Sequence, residues 1–123
     1  CTNAGLCALA FSIHMTLLGG EGLNRLARLN HARAAQTAAR LAQVPGVSVL
    51  NSVYFNEFTV ILPKDARDVV RALADRQVLG GVSLGRLYPE ATGLANGLLV
   101  TATELTTDED IEALATALEG VLA

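Results

Sequence analysis

The sequence predicts an α+β fold, a small, mainly antiparallel sheet with helices packed on one face. Two observations carry that expectation. Helical apolar stripes and short β-rich runs alternate in the order α-α-β-β-α-β-β-α along 123 residues. The link between the first two strands is also short enough for an antiparallel, hairpin-like connection, and such sheets leave one face for helices.

The first expected helix runs from Asn3 to Leu18 and is apolar almost all round, with Leu6, Cys7, Leu9, Phe11, Ile13, Met15, Leu17 and Leu18. Asn3 can cap it and Gly19-Gly20 can end it. A helix apolar on every side needs a cover. About fifteen residues with Ser12, His14 and Thr16 make a short membrane span. A packing partner outside this sequence is the expectation. The second helix spans Glu21 to Gln43, with Leu23, Leu26, Ala27, Ala34, Ala38 and Leu41 as its stripe, and Pro45-Gly46 stops it.

Two strands are expected next, Val47 to Leu50 and Glu57 to Leu62, rich in β-branched and aromatic residues. Pro63 closes the second, and Asp65 opens a helix whose stripe is Ala66, Val69, Val70 and Leu73. Gly80-Gly81 turns the chain into an extended piece, Val82 to Leu87, and a strong strand follows from Gly97 to Thr103. Thr106 as N-cap with Glu109 three residues later reads as a capping box. The last helix then turns Ile111, Leu114, Ala115, Leu118 and Leu122 inward.

Composition narrows the function classes. Hydrophobic residues make up 51% and charged residues 17%, enough apolar matter for a core. The net charge of −3 comes with scattered acids, which argues against a nucleic-acid surface. Cys1 and Cys7 lie six residues apart and face different sides of a helix, so no disulfide is expected between them, and a reducing cytoplasm is the expected compartment. No basic leader with a cleavage site opens the chain. The start at Cys1, inside a helix, suggests a piece of a longer protein.

Few residues offer chemistry. Cys7 and His14 share a helix face but stand roughly 10 Å apart, too far for one zinc ion. No metal site is expected from them, Cys1 or His31. His14 reads as a core or interface residue and His31 as a helix-surface one. Ser12, Ser48, Ser52 and Ser83 lack a nucleophile-elbow context. Gly19-Gly20-Glu21-Gly22 follows a helix and lacks the third glycine of a dinucleotide loop, so it reads as a turn between helices. Lys64 is the only lysine, and its exposed corner offers nothing to lower its pKa for Schiff-base work. The stretch Gly80 to Pro89 stands out, because three glycines beside Arg86 and Tyr88 suit a backbone that passes close to something. A guanidinium there can grip a carboxylate through two hydrogen bonds.

Several stretches together resemble a known family. They are Cys1-Thr2-Asn3 with Gly5 to Ala10, Leu17-Leu18-Gly19 with Gly22-Leu23, and Leu29-Asn30-His31-Ala32. Further on come Phe55 to Phe58, Leu79 to Val82, Arg86-Leu87-Tyr88-Pro89, and Thr103-Glu104 followed by Thr107 to Ile111. In order and spacing they resemble the C-terminal end of glycine dehydrogenase (decarboxylating), the P-protein family of the glycine cleavage system, in the first subunit of its two-subunit form. The resemblance spans essentially the whole chain.

That resemblance implies the C-terminal small domain of a fold-type-I pyridoxal-phosphate enzyme, residues 1–123 forming one domain and residues 1–18 the linker helix from a large domain. It implies decarboxylation of glycine, with the aminomethyl group passed to the lipoyl arm of H-protein. The cofactor, pyridoxal phosphate, would be bound through the second P-protein subunit, so this piece would be inactive alone. Arg86 becomes the candidate for the substrate carboxylate. Self-association through residues 3–18 is expected of the isolated piece. The competing readings are a stand-alone ferredoxin-like binding or regulatory module, and the small domain of another pyridoxal-phosphate enzyme such as an aminotransferase. A free module would carry an amphipathic first helix.

Overall fold

A computed structural model describes residues 3–123. The expectations for Cys1, as thiol partner or ligand, lie outside the described residues. Four strands form one antiparallel sheet: β1 (Ser48–Val49), β2 (Glu57–Ile61), β3 (Val82–Ser83) and β4 (Gly97–Thr101), in the order β1-β2-β4-β3. Helices α1 (Gly5–Leu41), α2 (Ala66–Asp75) and α4 (Asp108–Leu122) accompany it, with a single turn, α3 (Leu84–Leu87), at its edge. The α+β expectation is met.

Alternation in the central strands explains the single core. Phe58 pairs with Val100 and Val60 with Leu98 on the helix-facing side, and all four are buried. Against them pack Ala34, Ala38 and Leu41 of α1, Val69 and Leu73 of α2, and Ala115 and Leu118 of α4. Burying each large aliphatic side chain contributes about 1.5–3 kcal/mol. Only the end of α1 takes part. Its first half stands clear of the core, leaving Leu6, Leu9, Phe11, Ile13 and Leu17 exposed, with Leu6 and Leu17 each at 81%. Helix α1 is long and apolar enough to cross a membrane by length and composition.

The two expected helices run together as α1, but the turn between them survives as a kink at Gly19, with φ 61° and ψ −174°. Only glycine adopts that conformation without strain. The helix starts at Gly5, not Asn3, and Asn3 Oδ1 accepts the Gly5 N–H at 2.8 Å. Helix α1 is clamped to α4 by ion pairs. Arg40 reaches Glu112 at 3.0 Å and Glu119 at 3.3 Å, and Arg33 pairs with Asp108. The hydrogen bond from Arg40 to Glu112, with the attraction of both carboxylates, raises the Arg40 pKa further.

Three local expectations are corrected. The capping box sits one residue later: the Thr107 hydroxyl accepts the Asp110 N–H at 3.1 Å, and Asp110 accepts the Thr107 N–H at 2.9 Å. A box needs an acceptor side chain at the third helical position, and here the Asp110 carboxylate supplies it. The segment Val82 to Leu87 is not extended throughout. Strand β3 stops at Ser83, and buried Leu84 pulls the chain into α3. The turn after α2 does not wait for Gly80-Gly81. Gln77, at φ 62°, closes a Schellman motif in which the Val78 N–H reaches Leu73 O at 2.9 Å and the Gln77 N–H reaches Ala74 O at 2.9 Å.

Candidate functional site

Arg86 lies on α3 at one wall of a cleft of about 400 Å³ between α2 and the β3–α3 segment. The fold positions it in steps. Gly81 enters β3 with φ 136°, where a Cβ would stand 2.2 Å from Leu99 O, so only glycine lets the edge strand lie this close to β4. Ser83 then pairs with Leu98 and shares its helix-facing side. Leu84 anchors α3 in the core, and the turn closes with the Tyr88 N–H on Leu84 O at 2.8 Å.

The opposite wall is α2, where Arg67 and Arg71 sit at i and i+4 and share one face with Val70 at the cleft. Arg67 donates to Gly85 O at 2.6 Å, which ties α2 to α3 and leaves further guanidinium N–H groups for a ligand. Arg71 has a loose ion pair with Asp68 at 3.8 Å and is 80% exposed. Among the described residues no carboxylate lines the cleft. Ser83 lines it too, and its buried Oγ lacks a hydrogen-bond partner among the described residues. The arrangement can bind an oxyanion, and it holds no nucleophile–base pair.

The other sequence candidates are dispersed. Lys64 is exposed, and its Nζ donates to Val121 O at 2.9 Å, at the carbonyl end of α4 where a cation is favoured. His14 and Cys7 are exposed on the free half of α1. His31 Nδ1–H donates to Phe55 O at 2.9 Å, and its ring stacks on Phe55, which pins the loop before β2 to α1. Among the described residues no three His, Cys, Asp or Glu side chains converge as metal ligands. A second cavity, about 410 Å³, lies between the end of β4 and the start of α4, but its one carboxylate, Asp110, is committed to the helix cap. Sequence reasoning missed Arg67 and Arg71. Their spacing put them on one helix face, but only the position of α3 brings them opposite Arg86.

Known proteins agree over the whole chain. The profile of the glycine cleavage system P-protein matches residues 1–118. The probable glycine dehydrogenase (decarboxylating) subunit 1 of Novosphingobium aromaticivorans is 70% identical over 123 residues, and that of Rhizorhabdus wittichii 64%. The chain spans 27% of each of those relatives. Among solved structures, glycine decarboxylase (P-protein) of the glycine cleavage system, in inhibitor-bound form, superposes with TM-score 0.87 at 41% identity, over 99% of this chain and 27% of that one. The cystine C-S lyase C-DES in complex with cysteine persulfide shares the fold, with TM-score 0.62 at 15% identity over 78% of this chain and 24% of that one.

Proposed function

The chain belongs to the glycine cleavage system P-protein family, and on that premise we propose that it is the C-terminal small domain of the first subunit of a two-subunit glycine decarboxylase. The whole enzyme removes carbon dioxide from glycine and passes the aminomethyl group to the lipoyl arm of H-protein. Agreement across the entire chain, in sequence and in fold together, is the observation that carries this reading. A reducing cytoplasm is the compartment that goes with it.

Pyridoxal phosphate supplies the electron sink for that decarboxylation. The residues of this chain do not fit the group's attachment: the only lysine, Lys64, is exposed and spent on the end of α4. The attachment lysine thus lies outside these 123 residues; on the two-subunit reading it belongs to the second subunit, and this segment is inert alone. Its contribution is binding and positioning. Arg86, on the rim of a cleft without carboxylates, is the candidate for the carboxylate of glycine. The exposed apolar half of α1 is the linker that packs against the large domain of the same subunit. A stand-alone module would bury or solvate that helix, and its all-round apolar surface does neither.

The test is glycine turnover by the full-length first subunit with its partner subunit and H-protein. Arg86→Ala raises KM for glycine roughly tenfold while the subunits still co-elute in gel filtration. An unchanged KM removes Arg86 from the substrate site. A first subunit that fails to co-elute with a competent second subunit contradicts the assignment itself.

A further inference from the structure

We propose that the cleft between α2 and α3 takes a phosphate group, with Arg67 and Arg71 as its two arms. The proposal rests on reading the Arg86 cleft as an anion site, and it adds a ligand class and two residues to that reading.

The case starts from charge. Arg67 and Arg71 stand one helical turn apart on the face of α2 that lines the cleft, and Arg86 faces them from α3. Like charges at i and i+4 repel and destabilise a helix. Among the described residues the only acid paired to the three is Asp68, held to Arg71 at 3.8 Å. Three guanidinium groups around one concavity thus leave an excess of positive charge, which a doubly charged anion answers better than a single carboxylate.

Geometry supports the same class. Arg67 is already oriented by its 2.6 Å bond to Gly85 O, so less side-chain freedom is lost when its free N–H groups take a ligand. A planar guanidinium presents parallel N–H groups that match two phosphate oxygens. Ser83, on the helix-facing side of β3, brings a buried hydroxyl with no partner among the described residues. Such a group is costly unless something accepts its hydrogen bond, and a phosphate oxygen at the cleft floor would do so. The volume of about 400 Å³ is large enough to seat a phosphate on the α2 wall beside a carboxylate on Arg86.

The test is calorimetric titration of the full-length first subunit with inorganic phosphate and, separately, with acetate, at an ionic strength held constant with chloride. The parent and three variants, Arg71→Gln, Arg71→Lys and Arg86→Ala, are compared. Arg71 is the safest residue to change, since it is 80% exposed and has only the Asp68 pair to lose. Phosphate affinity is expected to exceed acetate affinity, to fall about fivefold in Arg71→Gln and to recover partly in Arg71→Lys. Phosphate binding that is absent, or indifferent to Arg71→Gln, overturns the proposal. Acetate bound as tightly as phosphate, and weakened only by Arg86→Ala, also overturns it and leaves the substrate-carboxylate reading standing. Acetate binding that ignores Arg86→Ala sinks that reading while the phosphate arm is judged on its own result.

Discussion

Gly81→Ala is the perturbation that reaches furthest into this fold, because Gly81 sets how closely β3 lies on β4. At φ 136° an alanine is strained wherever it sits, which costs about 1–3 kcal/mol. Its Cβ would also stand 2.2 Å from the Leu99 carbonyl oxygen, a backbone atom in the middle of the sheet that has no rotamer to change. Moving the strand by about an ångström to relieve that contact costs a further 1–3 kcal/mol, in line with overpacked cores. The sum, about 2–6 kcal/mol, is a large share of the 5–15 kcal/mol available to a domain. Gly93 is the control, since nothing lies within 4 Å of its Cβ position. Urea unfolding of the full-length subunit, followed by far-ultraviolet circular dichroism, reads both variants. Gly93→Ala is expected to stay within about 0.5 kcal/mol of the parent. A Gly81→Ala protein within 1 kcal/mol of the parent, with an unchanged urea slope, would refute the close-approach argument.

Other expectations rest on single features. Thr107→Ala removes both hydroxyl bonds of the capping box and should cost about 1 kcal/mol in a thermal melt, whereas Thr106→Ala leaves the box intact and loses the one bond that its hydroxyl accepts from the Thr103 N–H at 3.0 Å. Gln77→Gly relieves a left-handed residue in the Schellman turn and should stabilise by about 0.5–1 kcal/mol; a loss of stability would mean that Gln77 makes a contact worth more than the strain. The pKa of Asp108 is lowered by hydrogen bonds from Gln36 and Arg33, and that of Asp110 by the Thr107 N–H and hydroxyl. Depressed carboxylates add stability above their unfolded pKa, so the α1–α4 contact should weaken as pH falls below about 4, and Asp108→Asn should flatten that acid limb. The isolated 123-residue chain should self-associate through Leu6, Leu9, Phe11, Ile13 and Leu17, and light scattering of a Leu9→Lys, Phe11→Lys double variant should show smaller particles.

Much of this architecture was legible because its signals are local and periodic. The stripes Ala66, Val69, Leu73 and Ile111, Ala115, Leu118 repeat at helical spacing and are buried as that spacing demands. The all-round apolar run before Leu18 announced a helix with no partner in the chain, and its side chains are exposed. The misses have tertiary causes. Strand β3 ends early because Leu84 is drawn into the core, which no local propensity at Val82 to Leu87 reveals. Gln77 adopts a glycine-like conformation because the carbonyls of Leu73 and Ala74 hold its turn. The cap moved from Thr106 to Thr107 because two adjacent threonines and three adjacent acids make both registers possible on paper. In the cleft, the glycine run flagged Arg86, but Arg67 and Arg71 join it only through the packing of α2 on the β3–α3 corner.

The most direct measurement of the central claim is exchange of labelled bicarbonate into glycine. It uses the cofactor-bearing second subunit and H-protein, with the first subunit either intact or lacking this segment. The account predicts exchange with the intact subunit and its loss without the segment. Equal exchange by both forms, or none from the intact subunit beside a competent partner, would contradict it.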